Sequence, residues 1–324
     1  MKICLQKCGR MCYNAGKKGD TKMTDTKMLE ALEYPSEKID AVLDTDAYNE
    51  IDDQFAIAYM LRLQDKIDVK EIYAAPFFND KSTGPEDGME KSYDEIAKIL
   101  ELCGRTDLIA HTYKGSRTYL PDETKAVESP AARRIIELSA GYEEKKRLYV
   151  VAIGAITNVA SALLLDKTLA DRIVVVWLGG NAIEWPDTRE FNMFQDVAAA
   201  RVVFGSGVPL VQLPCMGVVS AFYTTAPELD KYLKGKNALC DYLAENTVNY
   251  MGGREKFWSK PIWDVTAVGW LAGGDKFMKS KIIHAPVPEY DDRYALKQNS
   301  HFMRYVYHIE RDALLKDMFE KLSE

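Results

Sequence analysis

Residues 39–63, IDAVLDTDAYNEIDDQFAIAYMLRL, run from a strand pattern through a turn into a helix pattern. Ile39 to Leu43 is a short apolar run with one polar interruption, which predicts a buried strand. From Phe55 to Leu63 the apolar residues recur at helical spacing. A strand that leads directly into a helix is the repeating unit of α/β proteins, so we expect an α/β sheet to begin here.

Four aspartates crowd the turn between this strand and this helix. Asp44 and Asp46 are two residues apart, so on an extended backbone they point to the same face. Asp52 and Asp53 open the helix, whose N-terminus tolerates negative charge. Carboxylates this close repel one another, and some stay protonated unless a cation lies among them. All the candidate ligands here are oxygens, which favours Ca²⁺ or Mg²⁺ over zinc. A solvated acidic loop that caps the helix is the alternative interpretation.

Strand and helix patterns alternate along the rest of the chain. Further strands are predicted at 69–75, 108–110, 148–153, 173–178, 208–213 and 281–287, and a closing helix at 311–322. Such alternation predicts right-handed crossovers and a mostly parallel sheet. We therefore expect a single α/β domain over residues 37–324, with a doubly wound sheet flanked by helices. A polar extension over residues 1–36 precedes it.

The active site of such a sheet is expected at the carboxyl ends of its strands. Several polar groups of this sequence follow predicted strands directly: Asp44 with Asp46, Asn79, the turn that starts at Gly154, and Asn181. Every strand ends in a loop, and loops are polar in any case. The position of these groups therefore agrees with a binding site without proving one.

The composition is ordinary for a globular protein, with 324 residues, of which 47% are hydrophobic and 28% charged. A net charge of −7 argues against nucleic acid as the main partner. No stretch approaches the ~20 apolar residues of a membrane helix, and no apolar core of signal-peptide length is found near the N-terminus. We therefore expect a cytoplasmic protein. Cys4, Cys8 and Cys12 match no zinc-binding spacing, and free thiols are expected there.

The chain resembles the inosine–uridine-preferring nucleoside hydrolases. Four pieces carry this resemblance in the family's order and spacing: the aspartate cluster 44–53, VAIGAITNVASALLL at 151–165, WLGGN with EFNMFQDVAAARVVFGSG within 177–207, and Trp263-Asp264 at the head of a helix. Together they cover roughly residues 39–275. The combination is more specific than the aspartate cluster alone.

The resemblance implies an enzyme that binds one Ca²⁺ and hydrolyses the N-glycosidic bond of ribonucleosides. By position, Asp46 is a metal ligand and the base that activates the water. Asp53 is a bidentate metal ligand, Asp264 is the third carboxylate, and the backbone carbonyl near Ile153 adds an oxygen. A second set of side chains is expected to hold the ribose hydroxyls: Asp52, Asn79, Asn181, Glu190 and Asn192. The implied partner is a small nucleoside, and family members are often dimers or tetramers.

Two departures from the family pattern stand out. The usual step from the second aspartate to the double aspartate is four residues, whereas the step from Asp46 to Asp52 is six, so Asn49 and Glu50 look like an insertion. We expect this insertion either to alter the metal geometry or to bring Glu50 into the site. Many members carry histidine, as an acid for the leaving base, where this chain has Trp263. The purine-preferring branch resembles this chain there, so a purine preference and a role for Trp263 in catalysis are expected.

Two other functions are compatible with parts of the sequence. Phosphatases of the haloacid dehalogenase type also begin with a strand and an Asp-x-Asp motif, as Asp44 to Asp46 do, and bind Mg²⁺. That interpretation leaves Asp52, Asp53 and the Glu190 motif unexplained. A non-catalytic nucleoside- or sugar-binding descendant of the hydrolases is the other alternative, and it predicts ligand binding without release of free base.

Overall fold

A computed structural model describes residues 23–324. It contains twelve strands: β1 (Ile39–Thr45), β2 (Ile67–Ala74), β3 (Thr112–Lys114), β4 (Leu148–Ala152), β5 (Ile173–Leu178), β6 (Leu210–Leu213), β7 (Tyr223–Thr224), β8 (Lys260–Pro261), β9 (Met278–His284), β10 (Val287–Pro288), β11 (Tyr294–Ala295) and β12 (Phe302–Ile309). Its α-helices are α1 (Asp25–Ala31), α2 (Asp52–Arg62), α3 (Pro85–Leu102), α4 (Pro130–Ser139), α5 (Thr157–Leu165), α6 (Phe191–Gln195), α7 (Val197–Gly205), α8 (Ala226–Tyr232), α9 (Ala238–Tyr250), α10 (Val265–Gly273) and α11 (Arg311–Ser323). Short 3₁₀ turns join several of these elements.

Eight strands form one central sheet in the order β3-β2-β1-β4-β5-β6-β12-β9. Neighbouring strands are parallel except β12 and β9, which are antiparallel. The predicted single domain with a mostly parallel sheet is therefore confirmed. From β1 the chain first builds outward through β2 and β3, and then continues on the other side with β4. The reversal leaves a crevice at the carboxyl ends of β1 and β4, which is where sheets of this type bind ligands.

Both faces of the sheet are covered, which explains why its strands are apolar throughout rather than alternating. In β4, Val150 packs into the core that includes residues of α4, α5 and α7, whereas Val151 packs into the core that includes residues of α2, α9 and α10. All five residues of this strand are buried. Two such cores, one on each face, are the doubly wound arrangement that the sequence predicts.

The structure corrects one strand prediction and adds several elements that the sequence analysis does not predict. Residues 108–110 lie in a 3₁₀ turn over Thr106–His111, and the strand β3 follows it. An apolar run of three residues is too short to distinguish a strand from a turn that buries one side chain, here Leu108. The sequence analysis does not predict β12, which lies between β6 and β9, nor α1, which packs Met28 on the core.

Two further expectations concern the chain termini and membranes. Cys4, Cys8 and Cys12 lie outside the residues that the structure describes. Over residues 23–324, no helix combines the length and the apolar character needed to cross a membrane.

Candidate active site

The carboxyl ends of β1 and β4 lie side by side and place the first carboxylates. The Ile153 N–H donates a hydrogen bond to the Asp44 carbonyl oxygen at 2.9 Å, which joins the two strand ends. Asp46 follows β1 directly and is 1% exposed. A Cβ atom at position 154 would lie 3.1 Å from Asp46 Cγ, closer than ordinary contact. The glycine at this turn therefore leaves room for the Asp46 carboxylate.

The helix α2 supplies the next two carboxylates from its first turn. Asp52 and Asp53 are its first residues, and both are buried. The positive end of the helix dipole and its free N–H groups make this a suitable place for buried negative charge. The Thr45 hydroxyl donates a short hydrogen bond to Asp53 Oδ1 and so fixes that carboxylate beside the end of β1.

Asp264 arrives from the far end of the sequence, immediately before α10. Its backbone N–H donates to Asp52 Oδ2 at 3.4 Å. One oxygen each from Asp52, Asp53 and Asp264 lies within 4.8 Å of the others, and all three residues are buried. The structure thus brings Asp264 to the aspartate cluster, as a metal site requires. Asp52 also belongs to this group of three carboxylates. The individual ligand and ribose-binding roles stay predictions.

The electrostatics of this cluster indicate that a positive charge belongs in it. Burial, followed by repulsion from Asp53 and Asp52, raises the pKa of Asp46 well above its ordinary value. Burial and the charge of Asp52 raise the pKa of Asp53 to about 7, and burial with its acidic neighbours raises that of Asp264. Within the described residues, Asp46 Oδ2 and Asp52 Oδ1 are buried without a hydrogen-bond partner. Buried carboxylate oxygens with unused acceptor capacity fit a hard divalent cation.

These pKa values predict how the stability of the metal-free protein depends on pH. The Asp53 pKa rises from 3.8 in an unperturbed chain to about 7 in the fold, so between these values the folded state holds a proton that the unfolded chain has released. The free energy of unfolding should therefore fall as pH rises through this window. Melting temperatures of the chelator-treated protein at pH 5, 6, 7 and 8 measure this. Asp53→Asn should show a shallower decline, and a melting temperature that rises from pH 5 to 7 would contradict the prediction.

Asn158 is a residue of this site that the sequence analysis did not assign. It lies in the first turn of α5 and donates from Nδ2 to Asp44 Oδ1 at 2.8 Å. Its carbonyl oxygen accepts from the Ser116 N–H, the Ser116 hydroxyl and the Ser129 hydroxyl, which fixes the orientation of the amide. Burial raises the pKa of Asp44 to about 7 although the Asn158 bond opposes this. Asn158 therefore fixes the Asp44 carboxylate at the end of β1, and its place in the TNVA segment is the signal in the sequence.

The predicted ribose-binding residues beyond β5 lie close together. Glu190 precedes α6, and its carboxylate accepts backbone N–H bonds from Gly180, Asn192 and Met193 at 2.8 to 3.0 Å. Asn192 donates to the Leu178 carbonyl at 3.0 Å. Burial raises the pKa of Glu190 even though these N–H groups stabilise its charge. Backbone N–H groups near the end of β5 thus fix the Glu190 carboxylate and stabilise its negative charge.

Two of the predicted ribose ligands use their side chains within the protein. Asn181 donates to the Asp187 carbonyl at 3.1 Å and accepts from the Met216 N–H at 3.1 Å, so it joins two loops. Asn79 donates to Asn49 Oδ1 at 2.7 Å. The second bond links the end of β2 to the inserted residues of the aspartate loop. These hydrogen bonds give each asparagine a structural role in addition to its predicted contact with the ribose hydroxyls.

Glu50, the other inserted residue, forms an ion pair with the buried side chain of Lys260. The Tyr250 hydroxyl also donates to Glu50, at 3.0 Å. Lys260 Nζ lies 3.8 Å from Asp52 Oδ1. Burial lowers the pKa of Lys260, but Asp52 and Glu50 raise it more, and the net shift is upward. Glu50 therefore holds a cation beside the carboxylate cluster, and the sequence offered no signal for Lys260.

Trp263 lies beside Asp264 and is half-buried against the core. Lys260 Nζ lies 6.0 Å from the centre of its ring. The ring therefore borders the Glu50–Lys260 pair. This position is compatible with a contact to a substrate and with a purely structural packing role.

Fold and site together define a doubly wound α/β protein with a buried carboxylate centre, suited to a hard cation, at the point where the strand order of the sheet reverses. The model of the inosine-uridine preferring nucleoside hydrolase family matches residues 41–313. The chain belongs to this family, which is metal-dependent and acts on the N-glycosidic bond of nucleosides. Membership removes the phosphatase alternative and identifies the chain as a nucleosidase.

Similar proteins agree with this assignment. The pyrimidine-specific ribonucleoside hydrolase RihA of Photobacterium profundum is 25% identical over 268 residues, which are 72% of this chain and 86% of that protein. A plant nucleoside hydrolase has the same fold, with a TM-score of 0.71 and 17% identity over 88% of this chain and 99% of its own. A purine-preferring ribonucleoside hydrolase from Gardnerella vaginalis gives a TM-score of 0.69 and 19% identity, over 88% of this chain and 98% of its own.

Proposed function

We propose that the protein hydrolyses ribonucleosides to free base and ribose, with Asp46 as the base that takes a proton from the attacking water. The observation that carries this proposal is the buried carboxylate cluster at the β1–β4 crevice, in which Asp46 Oδ2 has no hydrogen-bond partner among the described residues. A carboxylate with a free oxygen, whose pKa is raised by burial and by its neighbours, is a stronger base than an exposed carboxylate.

The donor set of the cluster fits Ca²⁺. Asp46, Asp53, Asp264 and the Ile153 carbonyl would hold the ion. The three carboxylates with oxygens within 4.8 Å of one another are Asp52, Asp53 and Asp264, so Asp52 lies close enough to join the ligands or to share a sugar hydroxyl with the ion. When bound, the ion would orient the attacking water and lower its pKa. The carboxylates that surround it supply oxygen ligands without a thiol or imidazole, which is the chemistry of a hard cation.

The same carboxylates suit the transition state of glycosidic cleavage. As the bond to the base breaks, positive charge grows on the sugar ring. Buried carboxylates fixed by helix ends and hydrogen bonds stabilise that charge without reorganising. Asp52, Glu190 and Asn192 are proposed to hold the ribose hydroxyls, and Asn79 and Asn181 would add further contacts. A site with buried groups aimed at hydroxyls rejects a sugar that lacks them.

A nucleoside panel scored for free sugar tests this function. With Ca²⁺ present, adenosine, inosine, guanosine, uridine and cytidine should release ribose, whereas 2′-deoxynucleosides should react at least about 30-fold more slowly, because each unpaired buried group costs about 1–3 kcal/mol. The chelator-treated protein is the control for metal-dependent turnover. Equal rates on ribo and deoxy substrates would contradict the ribose assignments. Substrate binding without any release of base would support a non-catalytic descendant.

Trp263 is proposed to stack on the leaving base and to favour purines. Because an aromatic ring stacked on a base contributes about 1–3 kcal/mol, Trp263→Ala should lower kcat/KM for inosine by roughly 10- to 100-fold. Calcium affinity, measured by titration calorimetry, should stay close to that of the unchanged protein. Trp185→Ala is the companion variant, because this exposed tryptophan is, with Trp258, an alternative candidate for the stacking role. If Trp263 has that role, Trp185→Ala should have little effect.

The names of similar proteins point to both purines and pyrimidines, so base preference rests on this experiment. A Trp263→Ala variant that loses metal affinity and thermal stability together would make Trp263 a packing residue. Equal turnover of uridine and inosine by the unchanged protein would contradict the purine preference but not the hydrolase function. A cytoplasmic location and a homo-oligomeric state stay predictions.

A further inference from the structure

Lys260 is a buried cation that the proposed mechanism does not use. It lies in β8, four residues before Asp264, and its side chain is 6% exposed. The rings of Tyr250 and Trp263 lie 5.6 and 6.0 Å from its Nζ atom. Removing an ammonium group from water is costly unless partners are supplied, so a lysine here needs an explanation.

Glu50 is part of that explanation. The side chain of Lys260 donates to Glu50 Oε2, and the Tyr250 hydroxyl donates to Glu50 Oε1 at 3.0 Å. Both carboxylate oxygens of Glu50 are thus engaged, and the ammonium is held in one place. Glu50 belongs to the insertion that distinguishes this chain from the usual spacing of the aspartate cluster.

The ammonium nevertheless has donors to spare. It carries three N–H groups, and among residues 23–324 Glu50 accepts its hydrogen bond. Asp52 Oδ1 lies 3.8 Å away, which is too long for a hydrogen bond. That oxygen is itself buried and lacks a hydrogen-bond partner within the described part of the chain. A donor and an acceptor, both with unused capacity, therefore lie next to each other at the edge of the carboxylate cluster.

A hydroxyl group suits such a pair because it donates and accepts at the same time. We propose that Lys260 binds substrate directly: its ammonium donates to the oxygen of a ribose hydroxyl whose proton is donated to Asp52 Oδ1. The hydroxyl is one of the two vicinal hydroxyls of the ribose. This inference rests on the proposed nucleoside hydrolysis, and it adds a specificity-determining residue that the inserted Glu50 holds in position.

Substrate discrimination by Lys260→Met tests the proposal. The substrates are one ribonucleoside and its 2′-deoxy and 3′-deoxy analogues, with Ca²⁺ present. Loss of a charged hydrogen bond should lower kcat/KM for the ribonucleoside about 10- to 100-fold. For the analogue that lacks the contacted hydroxyl, the same substitution should cost less than about 3-fold, since the bond is already absent. Calcium affinity measured by calorimetry should not fall, since Lys260 is not a ligand and its positive charge opposes that of the ion.

Lys81→Met is the matched control. Lys81 Nζ lies 5.0 Å from the centre of the Tyr250 ring, so this lysine borders the same tyrosine as Lys260. The proposed sugar contact does not involve it, and its loss should leave the ratio of ribo to deoxy turnover unchanged. Glu50→Gln is a second variant, for the case that Lys260→Met does not fold. This substitution keeps Lys260 but weakens the ion pair that holds it. We therefore expect the same pattern across the three substrates, with a smaller loss of kcat/KM.

The possible outcomes separate this inference from the function on which it rests. Equal losses on all three substrates would overturn it, because Lys260 would then act on the charge of the site as a whole. A parallel loss of calcium affinity would overturn it as well. If the unchanged protein hydrolyses ribonucleosides, either result leaves the hydrolase function standing. If the unchanged protein releases no sugar from any nucleoside, both proposals fail.

Discussion

Replacing Asp46 with asparagine should lower kcat for ribonucleoside hydrolysis by about 10³-fold, within the usual range for loss of a general base. The amide has nearly the same shape as the carboxylate but cannot take a proton from water at neutral pH. Asp46 is buried after β1 and its Oδ2 lacks a hydrogen-bond partner among the described residues, so the substitution should not disturb the strand. Steady-state kinetics with saturating Ca²⁺ measures the effect.

Asp40→Asn is the matched control for this prediction. Asp40 lies at the other end of β1 and forms ion pairs with Lys70 at 3.2 Å and Lys146 at 3.1 Å. Its neutralisation removes a charge from the same strand, far from the crevice, and should leave kcat unchanged. An Asp46→Asn enzyme that keeps more than about a tenth of the wild-type kcat would assign the proton transfer to another group.

Asp53→Asn should abolish metal binding and activity together. Asp53 is buried at the start of α2, and one of its oxygens lies within 4.8 Å of oxygens from Asp52 and Asp264. If Asp53 is the bidentate Ca²⁺ ligand that we propose, removing its charge should weaken binding about 100-fold or more. Titration calorimetry measures the affinity. The rise in melting temperature on addition of Ca²⁺ gives a second readout that does not depend on catalysis, because a ligand that binds the folded state stabilises it.

An exposed aspartate beyond the end of α10 provides the comparison. Asp275→Asn removes a charge without touching the cluster and should keep full calcium affinity. If Asp53→Asn turned over nucleosides normally with no calcium bound, the metal assignment would be wrong. Substantial retained affinity would shift the ligand role to Asp52, which the structure groups with Asp264.

The parts of the fold that could be predicted are those whose pattern is local. β1 and α2 follow from their apolar spacing, and β5 is predicted with its observed ends, Ile173 and Leu178. β12 was missed because Arg304 and His308 interrupt its apolar pattern. Its place between β6 and β9 is set by tertiary pairing, which leaves no local signal in the sequence.

The residues of the site likewise differ in whether local sequence predicts them. Asp44, Asp46, Asp52 and Asp53 could be grouped from the sequence because one strand-to-helix turn holds them all. Asp264 required the family resemblance, since nothing local shows that α10 begins beside α2. Lys260 could not be assigned from the sequence, because a lysine is ordinarily exposed and its partner Glu50 is more than two hundred residues away.

The position of β12 has a consequence for the order in which the protein can be completed during synthesis. β12 pairs with β6 on one side and with β9 on the other. Until residues 302–309 have left the ribosome, β6 is an open edge of the sheet. β9 cannot join the sheet at that stage, because β12 is the strand that links it to β6. Exposed edges of this kind invite pairing with other chains. A chain that ends prematurely before residue 302 would therefore carry a complete set of site aspartates on a sheet that is prone to aggregate.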